Sequence, residues 1–389
     1  MNARQEPKKE TYAGFEQGPI RPPSEAESLL IRVSRNCPWN HCTFCPVYKG
    51  ARFSLRPTEH VKQDIDLVHK YLEPLRTHAN ATGRITQEAV RRVSESVHPD
   101  ETGAFHAALR WFAGGLRSVF LQDANSLVIK PADLMEILRH LKKRFPWVER
   151  VTSYGRSHTI ARISNADLNS LRKAGLNRIH IGMESGSDEV LKRVRKGTTK
   201  EMHIKAGLKV KAAEMELSEY VMPGLGGAEL SEIHALETAD AVNRINPDFI
   251  RLRTLAIPDH VPLYEEHRSG RFQKPTDLMM AGEILLFIEN LKGISSTLKS
   301  DHILNLFQEI EGALPEDKDR MIQPLQSFLK MAPERQCLYQ VGRRLGYFSR
   351  LEDMESSHRC DKVRKVCLEN NITPDNVDAV IEKIMKRFI

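Results

Sequence analysis

The chain has 389 residues, 40% of them hydrophobic and 28% charged. That is the make-up of a water-soluble globular protein with room for one large barrel plus an appendage, or two to three ordinary domains. Its net charge of +7 arises from 58 basic residues interleaved with 51 acidic ones and no dense basic tract, so charge alone does not single out an RNA or anionic-metabolite partner.

No apolar run approaches the roughly 20 residues of a membrane span. Residues 1–9 lack the apolar core of an export signal, so a reducing, cytoplasmic setting and no membrane partner are expected. Residues 1–27 are polar and rich in proline and glutamate, which predicts an extended lead-in. Leu29-Leu30-Ile31-Arg32-Val33 then reads as a strand, and Cys37-Pro38-Trp39-Asn40-His41-Cys42-Thr43-Phe44-Cys45 follows it. Three of the six cysteines fall within these nine residues. Thiols this close, in a chain without an export signal, read as ligands rather than disulfide partners. Soft thiolates converging from one loop suit an iron–sulfur cluster. The alternative is a zinc loop completed by His41, because a structural zinc normally takes four protein ligands.

Pro57-Thr58 opens a helix with Val61, Ile65, Val68 and Leu72 on one face. Residues 74–115 keep helical periodicity without a strand, and read as an inserted helical segment. From residue 116 strands alternate with helices. Strands are expected at Val119–Leu121, Val148–Tyr154, Ile179–Met183, Leu217–Met222 and Phe249–Leu255. The intervening helices include one carrying Leu134, Ile137, Leu138 and Leu141, and one opened by Ser164 and Asp167 and closed by Gly175. Others follow at about 199–213, 229–245 and 277–291. Six strand–helix units predict an α/β fold with a parallel sheet, either a barrel or an open doubly wound sheet, with chemistry at the C-terminal strand ends. Residues 293–389 read as helical, with a cap at Ser300-Asp301 and a last helix whose stripe runs from Val377 to Phe388.

The cysteine loop resembles that of the radical S-adenosylmethionine (SAM) superfamily, in which the cluster loop follows the first strand of a β/α barrel. The usual spacing there is C-x3-C-x2-C, whereas this chain has C-x4-C-x2-C. The resemblance implies a partial (β/α)6 barrel, here over residues 28–292 with its closing helices. It also implies one 4Fe–4S cluster on Cys37, Cys42 and Cys45, with SAM on the open iron. Reductive cleavage of SAM would then give a 5′-deoxyadenosyl radical that abstracts hydrogen from a substrate, and a low-potential donor such as a ferredoxin or flavodoxin would supply the electron. The layout looks like the subgroup of the elongator catalytic subunit, the MiaB-type methylthiotransferases and the oxygen-independent coproporphyrinogen oxidase, without a recognisable acetyltransferase domain. An iron–sulfur protein that binds RNA or transfers electrons without radical chemistry is the alternative from another class.

The same resemblance assigns residues at successive strand ends. Phe44 takes the place of the aromatic beside the adenine. Asp123, in Gln122-Asp123-Ala124-Asn125, stands where backbone carbonyls hold the SAM ammonium group, although the family's two glycines are missing. Arg156 is a barrel-mouth arginine suited to the methionine carboxylate, or an ordinary surface charge. Glu184, in Gly182-Met183-Glu184-Ser185-Gly186, matches the ribose contact. Arg195 or Lys196 is placed to reach the SAM carboxylate, and Gly224 belongs to the glycine-containing loop beside the adenine. Arg251 and Arg253 lie two apart on one expected strand face, a receptor for an anionic substrate, small molecule or RNA, or for the SAM carboxylate if that face is the barrel interior, and ordinary surface charges if it faces out. Cys337, Cys360 and Cys367 fit no compact ligand motif and read as buried thiols.

Overall fold

The computed structural model describes residues 10–80 and 82–385. The first nine residues of the lead-in, and Phe388 of the final stripe, lie outside the described residues. In chain order the strands are β1 (Leu29–Arg32), β2 (Ser34–Arg35), β3 (Ser54–Leu55), β4 (Ser118–Gln122), β5 (Arg150–Gly155), β6 (Arg178–Glu184), β7 (Glu216–Val221), β8 (Phe249–Leu252), β9 (Thr297–Lys299) and β10 (Gly312–Ala313). The helices are α1 (Thr58–Thr77), α2 (Gln87–Glu95), α3 (Thr102–Ala113), α4 (Pro131–Arg144), α5 (Ser157–Ile160), α6 (Asn165–Ala174), α7 (Asp188–Arg193), α8 (Lys200–Ala212), α9 (Ser231–Ile245), α10 (Pro262–Arg268), α11 (Asp277–Glu289), α12 (Lys318–Leu329), α13 (Pro333–Arg344), α14 (Ser357–Glu369) and α15 (Val377–Met385). The fold class is α/β, with a mostly parallel sheet of eight strands and a separate two-stranded ribbon, the composition expected of a partial barrel.

Two compact units divide the described residues: 10–38, 50–80, 82–155 and 164–178 in the first, and 39–49, 156–163 and 179–385 in the second. In the first unit β1, β4 and β5 pair in parallel, with Leu29 opposite Val119 and Ser118 opposite Arg150. All five β4 residues are buried, as a parallel strand covered on both faces requires. The stripe Val61, Ile65, Val68 and Leu72 of α1 is buried too, and α1 packs on α3 and α4. The predicted insertion contains α2 and α3. Trp111 of α3 meets Phe145 edge to face at 4.9 Å, which fixes the insertion to the α4 end. Helix α6 begins as its sequence indicates: Ser164 Oγ accepts the Asp167 N–H at 3.0 Å, and Gly175 ends the helix at φ +115°.

In the second unit β6 to β10 follow in sheet order, β7 parallel to β8 and β8 parallel to β9, with β10 antiparallel at the edge. The region from 293 is therefore not wholly helical: Thr297-Leu298-Lys299 adds a strand beside β8. Residues 301–310 are not a helix either, since Ser300 Oγ donates to the Phe307 carbonyl and Asn305 bonds the β8 end through Thr254 and Leu252. Pairing with an existing sheet edge outweighs local helical pattern in so short a stretch.

Candidate functional site

Cys37 follows β2 in the first unit. The β2–β3 pairing, Ser34 with Leu55 and Arg35 with Ser54, closes the base of the cysteine loop. Asn36, at φ +65°, turns the chain out of β2. Its N–H donates to Asp123 Oδ2 at 2.9 Å, and Arg32 donates to the same oxygen from Nη2 at 2.8 Å and Nε at 3.1 Å. The Asp123 carboxylate is buried in this ion pair, so its side chain anchors the loop's first residues. Gln122 does the same for the lead-in, accepting from the Gly18 N–H and donating to Ile20 O.

The rest of the loop, Trp39–Lys49, belongs to the second unit. Phe44 is buried with Val190, Val194, Met222, Leu225 and Phe272, and the half-buried Cys42 and Cys45 pack against that cluster. Backbone bonds hold the loop on both sides: the Thr43 N–H donates to Val194 O, and the Leu263 N–H to Thr43 O. Trp39 Nε1 donates to the Arg195 carbonyl at 2.8 Å, with its ring over Gly197. Gly197 has φ +70°, and a Cβ there would lie 2.3 Å from the Trp39 ring, so only glycine serves. Arg156 stacks 5.0 Å from that ring and donates to Lys196 O at 2.7 Å. Its guanidinium thus braces the 195–197 turn, a use the strand-end position alone did not reveal.

Arg195 and Lys196, the two candidates for the SAM carboxylate, are placed differently. Arg195 takes φ +53° and its side chain is exposed, while the next residue, Lys196, is turned inward. The left-handed residue swings the chain so that consecutive side chains leave in different directions. Lys196 Nζ lies 3.0 Å from Glu184 Oε1 and 5.7 Å from the Phe44 ring centre. Burial works against its charge, but Glu184 and the negative charge of Cys42 outweigh it and hold the ammonium above its ordinary range. Gly182 makes room, since a Cβ there would sit 2.4 Å from Glu184 Oε1.

Glu184 itself has φ +65° at the end of β6. Its carbonyl accepts the Met222 N–H at 2.9 Å and His234 Nε2 at 3.2 Å. His234 Nδ1 lies 3.0 Å from Glu283 Oε1, and the Gly224 N–H donates to that oxygen at 2.7 Å. Ser231 bonds the other carboxylate oxygen through a very short hydrogen bond. Neither His234 nor Glu283 was visible as a site residue in the sequence, because each looks like one more polar position on an amphipathic helix.

Arg251 and Arg253 part company because β8 ends at Leu252, short of the expected Leu255, so that Arg253 lies beyond the strand. Arg251 is buried, donating to Asp301 at 2.6 Å and to Ser218 at 3.1 Å, whereas Arg253 is exposed. Arg251 meets the demand of a buried guanidinium internally, which leaves Arg253 as the available cation. His302 lies near Arg253 and is lowered to about 4, first by burial and then by that charge. Cys337 is pushed up to about 11 by burial and by the adjoining Cys367 thiol, the behaviour of a buried, unreactive sulfur.

None of the six cysteines is in a disulfide. Among the described residues no three His, Cys, Asp or Glu side chains converge as ligands of one ion. His41 is exposed, with its ring 4.9 Å from Trp39. Thiolates on separate corners of a cluster stand farther apart than ligands of one ion. Three thiols on one loop fit the iron–sulfur cluster by donor type.

Residues 31–239, more than half of the chain, match the family model for the radical SAM superfamily. Two curated relatives are tRNA uridine(34) acetyltransferases. The one from Methanocaldococcus infernus is 21% identical over 297 residues, covering 74% of this chain and 54% of the relative. The one from Methanocaldococcus jannaschii is 22% identical over 300 residues, covering 74% and 53%. The chain spans about half the length of these relatives. Among solved structures, coproporphyrinogen III oxidase from Escherichia coli, titled a radical SAM enzyme, is 16% identical with a TM-score of 0.43, covering 68% of this chain and 52% of that one. The chain is an enzyme of the radical SAM superfamily, which works with a 4Fe–4S cluster and SAM.

Proposed function

We propose that Cys37, Cys42 and Cys45 hold one 4Fe–4S cluster, that SAM lies along Glu184, Lys196 and Gly224, and that the enzyme acts on an anionic substrate, with tRNA the first to test. The observation that carries this reading is the Lys196 ammonium, 3.0 Å from Glu184 Oε1 and 5.7 Å from the ring centre of Phe44 in the cysteine loop. When bound, cluster and SAM supply one-electron reductive cleavage of SAM and a 5′-deoxyadenosyl radical able to abstract hydrogen.

The chain's own residues orient and exclude water. Glu184 is the acceptor for two ribose hydroxyls, and Lys196 is a cation within reach of a carboxylate. The apolar wall around Phe44 keeps water from the cluster loop. The names of the relatives, tRNA uridine(34) acetyltransferases, make a tRNA nucleoside the leading substrate class, and exposed Arg253 a phosphate contact. A low-potential ferredoxin or flavodoxin and a reducing, cytoplasmic setting complete the reading.

The test is Glu184→Ala in anaerobically reconstituted enzyme. SAM affinity and 5′-deoxyadenosine formation fall together if Glu184 holds the ribose. Normal SAM binding with retained RNA binding would overturn the site assignment.

A further inference from the structure

We infer that His234 and Glu283 are positioning residues that lock the Glu184 and Gly224 backbones into the shape that receives SAM; this rests on the reading that Glu184 and Gly224 contact SAM.

The pair is nearly inaccessible, with side-chain exposures of 2% and 3%. Burying an imidazole and a carboxylate together costs more than packing apolar side chains of the same volume, so the arrangement calls for a specific use. Glu283 of α11 receives three hydrogen bonds, from the Gly224 N–H, the Ser231 hydroxyl and His234 of α9. Burial works to discharge His234, but Glu283 outweighs it and favours the imidazolium. With both ring nitrogens protonated, His234 donates to Glu283 from one side and to the Glu184 carbonyl from the other.

Both target segments need such support. Glu184 is a non-glycine residue at φ +65°, and Gly224 stands at φ +87°. A left-handed glutamate persists where its surroundings over-determine it. The Met222 N–H and His234 fix its carbonyl, and a fixed peptide plane aims the side chain at Lys196. One buried carboxylate therefore ties two strand-end segments to each other. That is the supporting layer a binding site needs to hold its geometry.

The experiment uses the cluster-loaded enzyme without reductant, so that SAM is bound but not consumed. SAM is titrated calorimetrically into wild type, His234→Leu, His234→Gln, Glu283→Gln and Glu184→Ala, with melting and iron content measured alongside. His234→Leu and Glu283→Gln should weaken SAM binding about tenfold or more, with iron content unchanged. His234→Gln, whose amide can still donate to the Glu184 carbonyl, should recover most of that loss. A purely structural role would lower the melting temperature of all three and leave SAM affinity of the folded enzyme within about twofold, which overturns the proposal. If Glu184→Ala binds SAM like wild type, the Glu184 reading itself fails. If it binds weakly while the His234 and Glu283 variants do not, only the positioning role fails. Should His234→Leu not fold, His234→Gln and Glu283→Gln, which conserve volume and polarity, carry the test.

Discussion

The ammonium of Lys196 sits 3.0 Å from Glu184 Oε1 and 5.7 Å from the ring centre of Phe44. One cation therefore links the proposed ribose carboxylate to the cysteine loop, and Lys196→Met tests that link. It leaves Glu184 half-buried without its partner, at an expected cost of about 1–3 kcal/mol in denaturant unfolding. SAM affinity should fall about tenfold in calorimetric titration. Unchanged affinity with lowered stability would make Lys196 a structural cation only.

Gly197→Ala should damage the cysteine loop without touching a cysteine. The residue needs φ +70°, and an added Cβ would meet the Trp39 ring at 2.3 Å. Left-handed strain alone costs about 1 kcal/mol, and Trp39 must also move. Iron bound per chain after reconstitution is the measurement, and a clear drop is expected. Wild-type iron content would show that the Trp39 brace is dispensable.

Much of this was legible from residue pattern. The strand runs beginning at Leu29, Val119 and Ile179, the α1 stripe, and the Ser164 and Gly175 caps all lie where periodicity and capping chemistry put them, because those signals are local. What the pattern did not reveal shares one cause. Which of Arg195 and Lys196 turns inward depends on a single left-handed φ. Whether Arg251 is available depends on Asp301, 50 residues away. The His234–Glu283 pair joins two helices 49 residues apart. Strand β9 is three residues long and exists through its neighbour β8. Long-range pairing of this kind leaves no periodic trace in one sequence.

Asp123→Asn separates anchoring from cofactor binding. The buried carboxylate holds Arg32 and the Asn36 N–H, so losing its charge should cost about 3 kcal/mol in denaturant unfolding. An unaltered stability with weakened SAM binding would assign Asp123 the direct cofactor role expected from the sequence instead.

His203 makes stability fall in acid. The buried imidazole shares a 2.6 Å hydrogen bond with Ser157 and is lowered to about 3, first by burial and then by Lys196 and Arg156. The folded state thus binds its proton less readily than the unfolded chain, whose histidine titrates near 6.5. Stability is full above about 6.5 and is lost as pH falls toward about 3, at up to about 1.4 kcal/mol per pH unit. Denaturant unfolding at neutral and mildly acidic pH should show this slope, and His203→Leu should reduce it. An identical slope in the variant would mean that His203 is already charged when folded.

The central claim is that the Cys37, Cys42 and Cys45 loop supports reductive SAM cleavage, and the most direct measurement is 5′-deoxyadenosine. The enzyme would be reconstituted anaerobically with iron and sulfide, reduced, and incubated with SAM, with and without bulk tRNA. The account predicts 5′-deoxyadenosine from wild type and none from the triple Cys→Ala variant. A loop that binds zinc instead of iron, or an intact cluster that leaves SAM uncleaved in the presence of tRNA, would contradict it.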